Sequence, residues 1–497
     1  MMRVLRSIAI VACFLFCQSC YQEEIIFSAE PNNDLELPLL LNIDHKVGCL
    51  DDASQTLRFS IDESKLHDYK PKIKFQKFAK VYFEGKELVN REKNPLGNIV
   101  LNKAYRVAIE AGDKRREFKV SFTNLPTVQV ITPNEITDEP KTMARIVVNY
   151  PKWKKKPETY IIGIEYRGKT SRAYAKKSYG ISLKSEFNFD TDESASFFGL
   201  KPNNDWILDA MYIDRARLRN KTSFELWQQI NGNAHYGISG ELVELFLNNE
   251  RQGIYCFNEK INAEHLALTS PKAVLYKAVE WEDGATKFET YSQKKSHCFY
   301  WDGWEQEYPD AEEVINWEPL ADLRYLIVKE KDANFKWLIE EAIDMNNFMD
   351  YYLFLNLVSA VDNTGKNTFL AKRDAGKPFV VIPWDIDGAW GLFWNGEKLN
   401  HTSILSNDLY KRLKQLNPYS FKQKLKERWL ELRTNVFSEE NIRNHFNNNF
   451  NDIRKSGVIA IENDRWDLNI DLNEEQQFLL EWTKKRLAFL DDYFRDL

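Results

Sequence analysis

Four polar residues in the second half of the chain are spaced for chemistry on phosphate. Asp362 opens the segment DNTGKN, and Asn367 ends it. A strand-like run (TFLAKR), a turn (DAGK) and a second strand-like run (PFVVI) then lead to PWDID, which carries Asp385 and Asp387. Phosphoryl transfer of the protein-kinase type uses this order: a carboxylate near the acceptor hydroxyl, an amide for Mg²⁺, a short hairpin and a metal carboxylate. We therefore take Asp362 as the candidate catalytic base and the other three as candidate metal ligands.

The same residues have a simpler interpretation. Asp and Asn are common in turns, where they bond their own backbone, and DNTG is a good turn sequence. However, Asp362 follows a long apolar helix pattern and Asp385 follows the apolar strand pattern FVVIP. We expect buried elements to hold both carboxylates, which then require a metal ion or a charged partner.

Residues 163–170 read GIEYRGKT, a formal match to the phosphate-binding G-x-x-x-x-G-K-[ST] loop. That loop needs a glycine-rich turn that leads straight into a helix. Here the intervening residues extend a strand, and SRAYAKKSYGISL also has a strand pattern, so we interpret the match as chance. The segment could still form a hairpin tip that covers phosphates, with Gly168 at the turn and Arg167, Lys176 and Lys177 beside it.

Two other functions stay open. Trp384, Trp390 and Trp394, near the acidic residues, could stack on sugars in a surface adhesin or glycan-binding protein, although core packing is the commoner role of tryptophan. Paired acids for polysaccharide hydrolysis could come from the PWDID carboxylates or Glu259. That mechanism depends on a separation between carboxylates that the sequence does not give.

The composition is that of a globular protein: 497 residues, 43% hydrophobic and 29% charged, with a net charge of -6. No basic tract is long enough to indicate a nucleic-acid partner. The cysteines beyond the N-terminal segment are Cys49, Cys256 and Cys298, and they have no metal-binding spacing. We expect buried or unpaired thiols, and one disulfide of unassigned pairing stays open.

The N-terminus resembles a bacterial lipoprotein signal peptide. Arg3 and Arg6 precede the apolar run IAIVACFLF, which is too short to span a bilayer. Cys20 follows, and then Glu23–Glu24, as in surface-exported lipoproteins of the Bacteroidetes group. The resemblance implies removal of residues 1–19, lipidation of Cys20 and membrane attachment through the acyl chains. We therefore expect the protein at the cell envelope, anchored in the outer membrane and exposed at the surface.

The remaining chain predicts an α+β protein. Residues 20–35 read as a polar tether, and 36–135 have the short alternating strands of an all-β immunoglobulin-like sandwich, a spacer or accessory domain. From residue 140 we predict a kinase-like two-lobed domain, with a mixed N-lobe over about 140–262 and a helical C-lobe over about 263–497.

Individual elements can be placed within these lobes. TYIIGIEYRG and SYGISLKS read as paired strands, and Asp214 can cap a helix over roughly 215–230, followed by the strands ELVELFLNN and GIYCFNEK. In the C-lobe, Asp344 can cap a helix that is apolar on more than one face and delivers Asp362 at its end. Further amphipathic helices are predicted over approximately 420–436 and 474–495.

The order of these segments resembles the CotH kinase family, named for spore coat protein H and counted among the atypical protein kinases. The matching segments, from about 145 to 395, are YRGKTSRAYAKKSYGISL, FFGLKPNNDWIL, DRARLRNKTSFEL, NNERQGIYCFNEKI, VLYK, DNTGKN and PWDIDGAWG. KERWLELR and the final long helix also fit. Ala360–Val361 replace the His-Arg of typical kinases and DIDG replaces Asp-Phe-Gly, and both differences look typical of this family.

The resemblance implies transfer of the ATP γ-phosphoryl group to a hydroxyl of an acceptor protein, with Mg²⁺ or Mn²⁺. It assigns catalysis to Asp362 and metal binding to Asn367 and Asp385, in agreement with their spacing. The alternative from another class is a catalytically silent, kinase-like surface adhesin or glycan-binding lipoprotein.

The resemblance also suggests where ATP lies. A basic residue of KKSY would hold the phosphates, with Lys177 the better candidate, and Arg167 lies nearby. Glu225 could orient that lysine, and backbone at Glu259 would meet adenine. Three arginines could face phosphate or pair with surface acids: Arg215, Arg217 and Arg219.

Overall fold

The computed structural model describes residues 41–152, 156–168, 171–185, 189–230 and 236–497. The predicted signal peptide, the lipidation site at Cys20 and the tether lie outside the described residues. Helices and sheets are both present, which confirms the α+β class. Within the described ranges, no helix is both long and apolar enough to cross a bilayer.

The chain forms two compact units. The first contains the chain up to Ile131 together with Ile146–Thr159 and Leu245–Arg251. The second contains Thr132–Arg145, Tyr160–Glu244 and Gln252–Leu497. The predicted domain limits near 135–140 and 262 stay predictions.

Strands dominate the described N-terminal part of the first unit. They are β1 (Asn42–Ile43), β2 (Lys46–Val47), β3 (Cys49–Asp51), β4 (Thr56–Ser60), β5 (Ile73–Lys74), β6 (Lys80–Phe83), β7 (Lys86–Glu87), β8 (Tyr105–Ala111) and β9 (Lys114–Thr123). One sheet has the order β2-β1-β5 and the other β3-β4-β9-β8-β6-β7. The β8–β9 hairpin turns at AGDK, as its pattern predicts, with Ala111 opposite Lys114.

One hydrophobic core joins these two sheets. It contains Ile43 and Ile73 from the smaller sheet and alternate residues of the larger one, such as Phe59, Val107 and Val120. Because successive side chains of a strand point to opposite faces, the alternating pattern buries one face of each strand. An all-β region agrees with this arrangement, and its immunoglobulin-like connectivity stays a prediction.

A seven-stranded sheet that closes on itself follows. Its strands are β10 (Thr127–Ile131), β11 (Thr142–Asn149), β12 (Glu158–Arg167), β13 (Ser178–Lys184), β14 (Asp205–Asp209), β15 (Gly240–Leu247) and β16 (Glu250–Glu259), in the order β10-β11-β12-β13-β14-β16-β15. Arg167 lies opposite Ser178 in the β12–β13 hairpin. Since residues 163–167 are strand, this segment lacks the glycine turn and helix of a phosphate-binding loop.

A five-stranded sheet supports the segments that the sequence analysis selected for chemistry. Its strands are β17 (Val274–Ala278), β18 (Tyr300–Trp301), β19 (Trp304–Tyr308), β20 (Thr368–Lys372) and β21 (Val380–Pro383), in the order β18-β19-β17-β20-β21. The β20–β21 hairpin is the one predicted between Asn367 and Asp385, with Thr368 opposite Pro383. The segment predicted as helical from about residue 263 begins with three of these strands, and its first α-helix starts only at Glu318.

The α-helices of the described residues are α1 (Arg219–Gln229), α2 (Glu318–Val328), α3 (Asp332–Ala342), α4 (Met345–Val358), α5 (Asp408–Leu416), α6 (Phe421–Arg433), α7 (Glu439–Ser456), α8 (Val458–Trp466) and α9 (Leu472–Arg495). Helix α4 packs against β21, α6 and α9, which explains why it is apolar on several faces. The Asp344 carboxylate accepts hydrogen bonds from the amides of Asn346 and Asn347, as its predicted capping role requires.

We expect Asp344→Ala to lower the free energy of unfolding by about 1 kcal/mol, because the first turn of α4 loses its side-chain cap. Asp344→Asn keeps an oxygen acceptor and serves as the control. Denaturant unfolding of the three proteins measures the difference. Equal stability of Asp344→Ala and wild type would contradict this role for the cap.

Candidate active site

The charges of Asp209 and Asp362 act on the Asp385 carboxylate, and those of Asp385 and Asp209 act on Asp387; we call these four aspartates the acidic cluster. The loss of hydration among the surrounding protein atoms raises the pKa of Asp385, and the charges of Asp209 and Asp362 raise it further. The residue nevertheless keeps an exposed surface, so the expectation of a fully buried carboxylate is wrong. Burial likewise raises the pKa of Asp387 well above its ordinary value, with added repulsion from Asp385 and Asp209. The segments of Asp362 and Asp385 also meet through a hydrogen bond, because the side chain of Asn363 donates to the Trp384 carbonyl at 2.7 Å.

Two basic side chains face the acidic cluster. The positive charges of Arg167, at the end of β12, and Lys277, on β17, oppose the rise in the pKa of Asp385. The Arg167 guanidinium lies 5.4 Å from the centre of the Trp384 ring. Burial lowers the pKa of Arg167, and the charges of Asp385 and Asp209 oppose this shift. The sequence analysis selected Arg167, whereas Lys277 belongs to the VLYK segment and received no role.

Asp362 stands in the turn that follows α4. The helix ends at Val358, whose carbonyl accepts a 2.7 Å hydrogen bond from the Trp390 amide. Asp362 then opens a 3-10 turn, and its carboxylate lies 3.2 Å from the Lys366 ammonium. DNTG is thus a turn, as its composition suggests, and the turn also delivers a carboxylate to the acidic cluster.

Asn367 and Asp385 flank the β20–β21 hairpin and are tied to each other through backbone. The Trp384 amide donates to the Asn367 carbonyl at 3.1 Å. The Asn363 side-chain amide donates to the carbonyls of both Asn367 and Trp384, at 2.8 and 2.7 Å. Asn367 and Asp385 have φ values of 55° and 52°, in the left-handed region. Such conformations are uncommon for non-glycine residues and cluster at functional sites.

Asp209 is a member of the acidic cluster that the sequence analysis missed. It ends β14, and its carboxylate accepts hydrogen bonds from the Met211 amide at 3.0 Å and from the Asn220 side chain at 3.1 Å. The Asn220 oxygen in turn accepts from the Ile386 amide at 3.0 Å, so Asn220 links β14 to the PWDID segment. An apolar strand that ends in Asp is the signal that selected Asp385, and the same signal in WILD could have found Asp209.

The Asp214 side chain caps the N-terminus of α1, although Asp214 lies several residues before the helix in sequence. Its carboxylate accepts from the amides of Leu218 and Arg219 at 2.8 and 2.7 Å, and it pairs with the Arg219 guanidinium. The chain wraps around this carboxylate before the helix begins, which explains why α1 starts at Arg219 and not near 215. The Arg219 Nε also donates to the Ala389 carbonyl at 3.1 Å, so this pair helps to hold the segment after PWDID.

The three arginines of DRARLR occupy two different environments. Arg215 is exposed and pairs with Glu475 at 3.3 Å, as the surface interpretation predicts. Arg217 and Arg219 are fully buried and pair with Glu462 and Asp214. Their charges are therefore matched by protein carboxylates.

The remaining residues proposed to contact ATP have protein partners. The Lys177 ammonium donates to the carbonyls of Arg172 and Tyr174 at 2.6 and 2.5 Å. Glu225 pairs with Lys221 at 2.8 Å and does not pair with Lys177. Although burial alone would raise it, the charge of Lys221 brings the pKa of Glu225 down to about 2. The ATP-binding roles of Lys177 and Glu225 stay predictions.

Glu259 ends β16, and its carboxylate is buried. It accepts hydrogen bonds from the amides of Lys201 and Ser239 at 2.7 and 2.8 Å. These bonds hold together three segments of the chain, and the contact with adenine predicted for this region stays a prediction.

The three tryptophans considered for sugar stacking differ in exposure. Trp390 is fully buried, and its indole donates to the Ser223 hydroxyl at 2.9 Å. Trp384 is 8% exposed and packs edge-on against Phe369, whereas Trp394 is 42% exposed. Only one of the three therefore has the open face that a sugar platform requires.

The acidic cluster alone is not a complete metal-binding site. Within the described residues, no three His, Cys, Asp or Glu side chains are grouped so that they could hold a metal ion. Mg²⁺ in nucleotide-dependent enzymes is held by one or two carboxylates together with water and substrate phosphates. The metal-binding roles of Asn367, Asp385 and Asp387 stay predictions.

We expect Asn220→Ala to destabilise the protein by about 1–3 kcal/mol, because the buried Ile386 amide loses its acceptor. Asn346→Ala removes an exposed amide and should change stability by less than about 0.5 kcal/mol. Denaturant unfolding measures both variants. Equal stabilities would show that Asn220 does not hold the PWDID segment.

Comparisons with known proteins identify the family of the chain. The family model described as CotH kinase protein matches residues 164–490. Inner spore coat protein H of Bacillus subtilis (strain 168) is 24% identical over 239 residues, which cover 48% of this chain and 61% of that protein. The match thus spans about three fifths of the relative's length. The family match extends over more than half of the chain, and the chain therefore belongs to the CotH kinase protein family.

Proposed function

We propose that this chain transfers the γ-phosphoryl group of ATP to a hydroxyl of an acceptor protein. The observation that carries the proposal is the acidic cluster. The raised pKa values of Asp385 and Asp387 mean that the protein does not neutralise these carboxylates fully, although Arg167 and Lys277 face them. A bound divalent cation would supply the missing positive charge, and the two basic side chains would bind the phosphates of the nucleotide.

The donor set fits Mg²⁺ or Mn²⁺. Carboxylate and amide oxygens are the ligands that these hard cations prefer. Asp385, Asp387 and Asn367 would hold the ion, with the hairpin ends fixed by Asn363. When bound, the metal supplies neutralisation of the charge on the transferred phosphoryl group.

The chain's own residues have distinct tasks in this proposal. Asp362 aligns the acceptor hydroxyl and accepts its proton, and the nearby Lys366 ammonium offsets charge beside it. Arg167 and Lys277 bind phosphate oxygens. Most of the lowering of the barrier comes from this positioning and from charge neutralisation, because phosphoryl transfer needs little covalent participation by the protein.

We further propose that the protein acts at the cell envelope, attached to the outer membrane through lipid on Cys20. The signal-like pattern of residues 1–20 supports this location. The partner is then a surface or envelope protein that presents a hydroxyl side chain.

A kinase-like binder without catalytic activity is the second candidate. The exposed Trp394 is the feature that favours it, because an exposed aromatic face can stack on a sugar ring. Such a protein would bind a surface glycan and would not transfer phosphate.

We expect Asp362→Asn to lower phosphate incorporation by about 10²-fold or more, because the acceptor hydroxyl loses its base. Asp385→Asn should abolish incorporation through loss of a metal ligand. Asp374→Asn changes an exposed aspartate in the β20–β21 turn and should retain wild-type activity. The measurement is incorporation from γ-labelled ATP with Mg²⁺, and retained activity in both site variants would refute the assignment.

Arg167→Met should weaken ATP binding by about tenfold or more, because a charge-assisted hydrogen bond contributes about 1.5–3 kcal/mol. Thermal stabilisation of the purified protein by ATP with Mg²⁺ reports this binding.

Lys177→Met in the same assay tests the lysine predicted from the sequence to hold the phosphates. A loss of ATP binding as large as that of Arg167→Met would support that prediction. Stabilisation of the wild type by sugars but not by ATP would favour the glycan-binding alternative.

A further inference from the structure

Lys176, Arg217 and Glu462 meet in the interior of the second unit, and we call them the buried triad. All three side chains are 0% exposed. The Lys176 ammonium lies 2.6 Å from one Glu462 oxygen, and the Arg217 Nη2 lies 2.9 Å from the other. Buried charges of this kind persist only where they are paired and hydrogen-bonded, and removal of one partner is costly.

Glu462 lies on α8, far in sequence from the residues of the acidic cluster. Its carboxylate contacts the backbone of β16. One of its oxygens also accepts a 2.9 Å hydrogen bond from the Ile254 amide. Gly253 has a φ of 102°, and a Cβ atom there would lie 2.1 Å from this carboxylate. Glycine is thus required both by the backbone conformation and by the close approach of Glu462.

Lys176 is saturated by protein acceptors. Besides Glu462, its ammonium donates to the Ala210 carbonyl at 3.0 Å and to the Ile254 carbonyl. An ammonium has three donors, and all three are used inside the protein. All hydrogen bonds of the Lys176 ammonium are therefore made within the protein, and none is left for a phosphate.

Arg217 connects the buried triad to the acidic cluster. Its Nη1 donates to the carbonyls of Met211, Tyr212 and Asp214 at 2.5, 2.9 and 2.7 Å. The Met211 amide donates in turn to the Asp209 carboxylate. Together with the bond from Lys176 to Ala210, these contacts hold the turn of residues 209–214, which begins with a member of the acidic cluster.

We propose that Glu462 is a positioning residue for the acidic cluster. It fixes Arg217 and Lys176, which clamp the 209–214 turn, so a carboxylate near the C-terminal end of the chain governs how well Asp209 is placed. The consequence for metal binding rests on the proposed function, whereas the consequence for the turn does not.

The experiment uses the full chain and the variants Glu462→Gln and Arg217→Lys. The lysine keeps the charge of Arg217 but cannot form the fork of hydrogen bonds. Asp350→Asn is the matched control, because Asp350 is 2% exposed and pairs with Arg428 at 2.7 Å elsewhere in the same unit. Hydrogen–deuterium exchange of residues 209–216, binding of Mn²⁺ in the presence of ATP and thermal unfolding are measured for each protein.

We expect faster exchange at residues 209–216 in Glu462→Gln and Arg217→Lys. Mn²⁺ binding should weaken by about tenfold or more, because Asp209 binds Asn220, which in turn binds the Ile386 amide between the proposed metal ligands Asp385 and Asp387. Asp350→Asn should lose thermal stability without either change.

Unchanged exchange and unchanged Mn²⁺ affinity in a folded Glu462→Gln protein would overturn the inference. Equal effects of Asp350→Asn would do so as well, because they would indicate general destabilisation. If Glu462→Gln does not fold, Arg217→Lys decides by the same criteria. If the wild type binds no Mn²⁺ in the presence of ATP, the proposed function fails. The positioning role is then decided only by whether hydrogen–deuterium exchange of the 209–214 turn is faster in the variants than in the wild type.

Discussion

The mutual repulsion of the aspartates in the acidic cluster is the constraint on which the rest of the second unit depends. Loss of hydration is the largest cause of the raised pKa values of Asp385 and Asp387, and repulsion from the neighbouring carboxylates adds to it. The protein keeps them there only because rigid elements carry them: β14, the end of α4 and the β20–β21 hairpin. The contacts around these three elements hold them in position.

Neutral groups join these elements to one another. Asn220 links Asp209 to the Ile386 amide, Asn363 links the two ends of the hairpin, and the Trp390 amide binds the last carbonyl of α4. Side-chain and backbone amides can satisfy buried polar groups without adding a positive charge. The loops are therefore held in place without neutralising the acidic cluster.

Basic residues of this unit separate into two groups. Arg167 and Lys277 face the acidic cluster, where phosphates would be bound, whereas Lys176, Arg217 and Arg219 are buried and matched by Glu462 and Asp214. The second group sets the position of turns and helix ends. Basic residues that lie close together in sequence, such as Lys176 and Arg167, thus belong to different groups.

The sequence by itself determined the α+β class, the hairpin between Asn367 and Asp385, the cap at Asp344 and the candidate roles of Asp362, Asp385 and Arg167. These depend on local periodicity, turn chemistry and spacing, which act over a few residues. Only the tertiary structure placed Asp209, Asn220 and Lys277 at the site, paired Glu225 with Lys221, and buried Arg217 and Arg219. Pairing between charges depends on which distant elements pack together, and a basic residue has the same local signature whether it faces phosphate or a buried carboxylate.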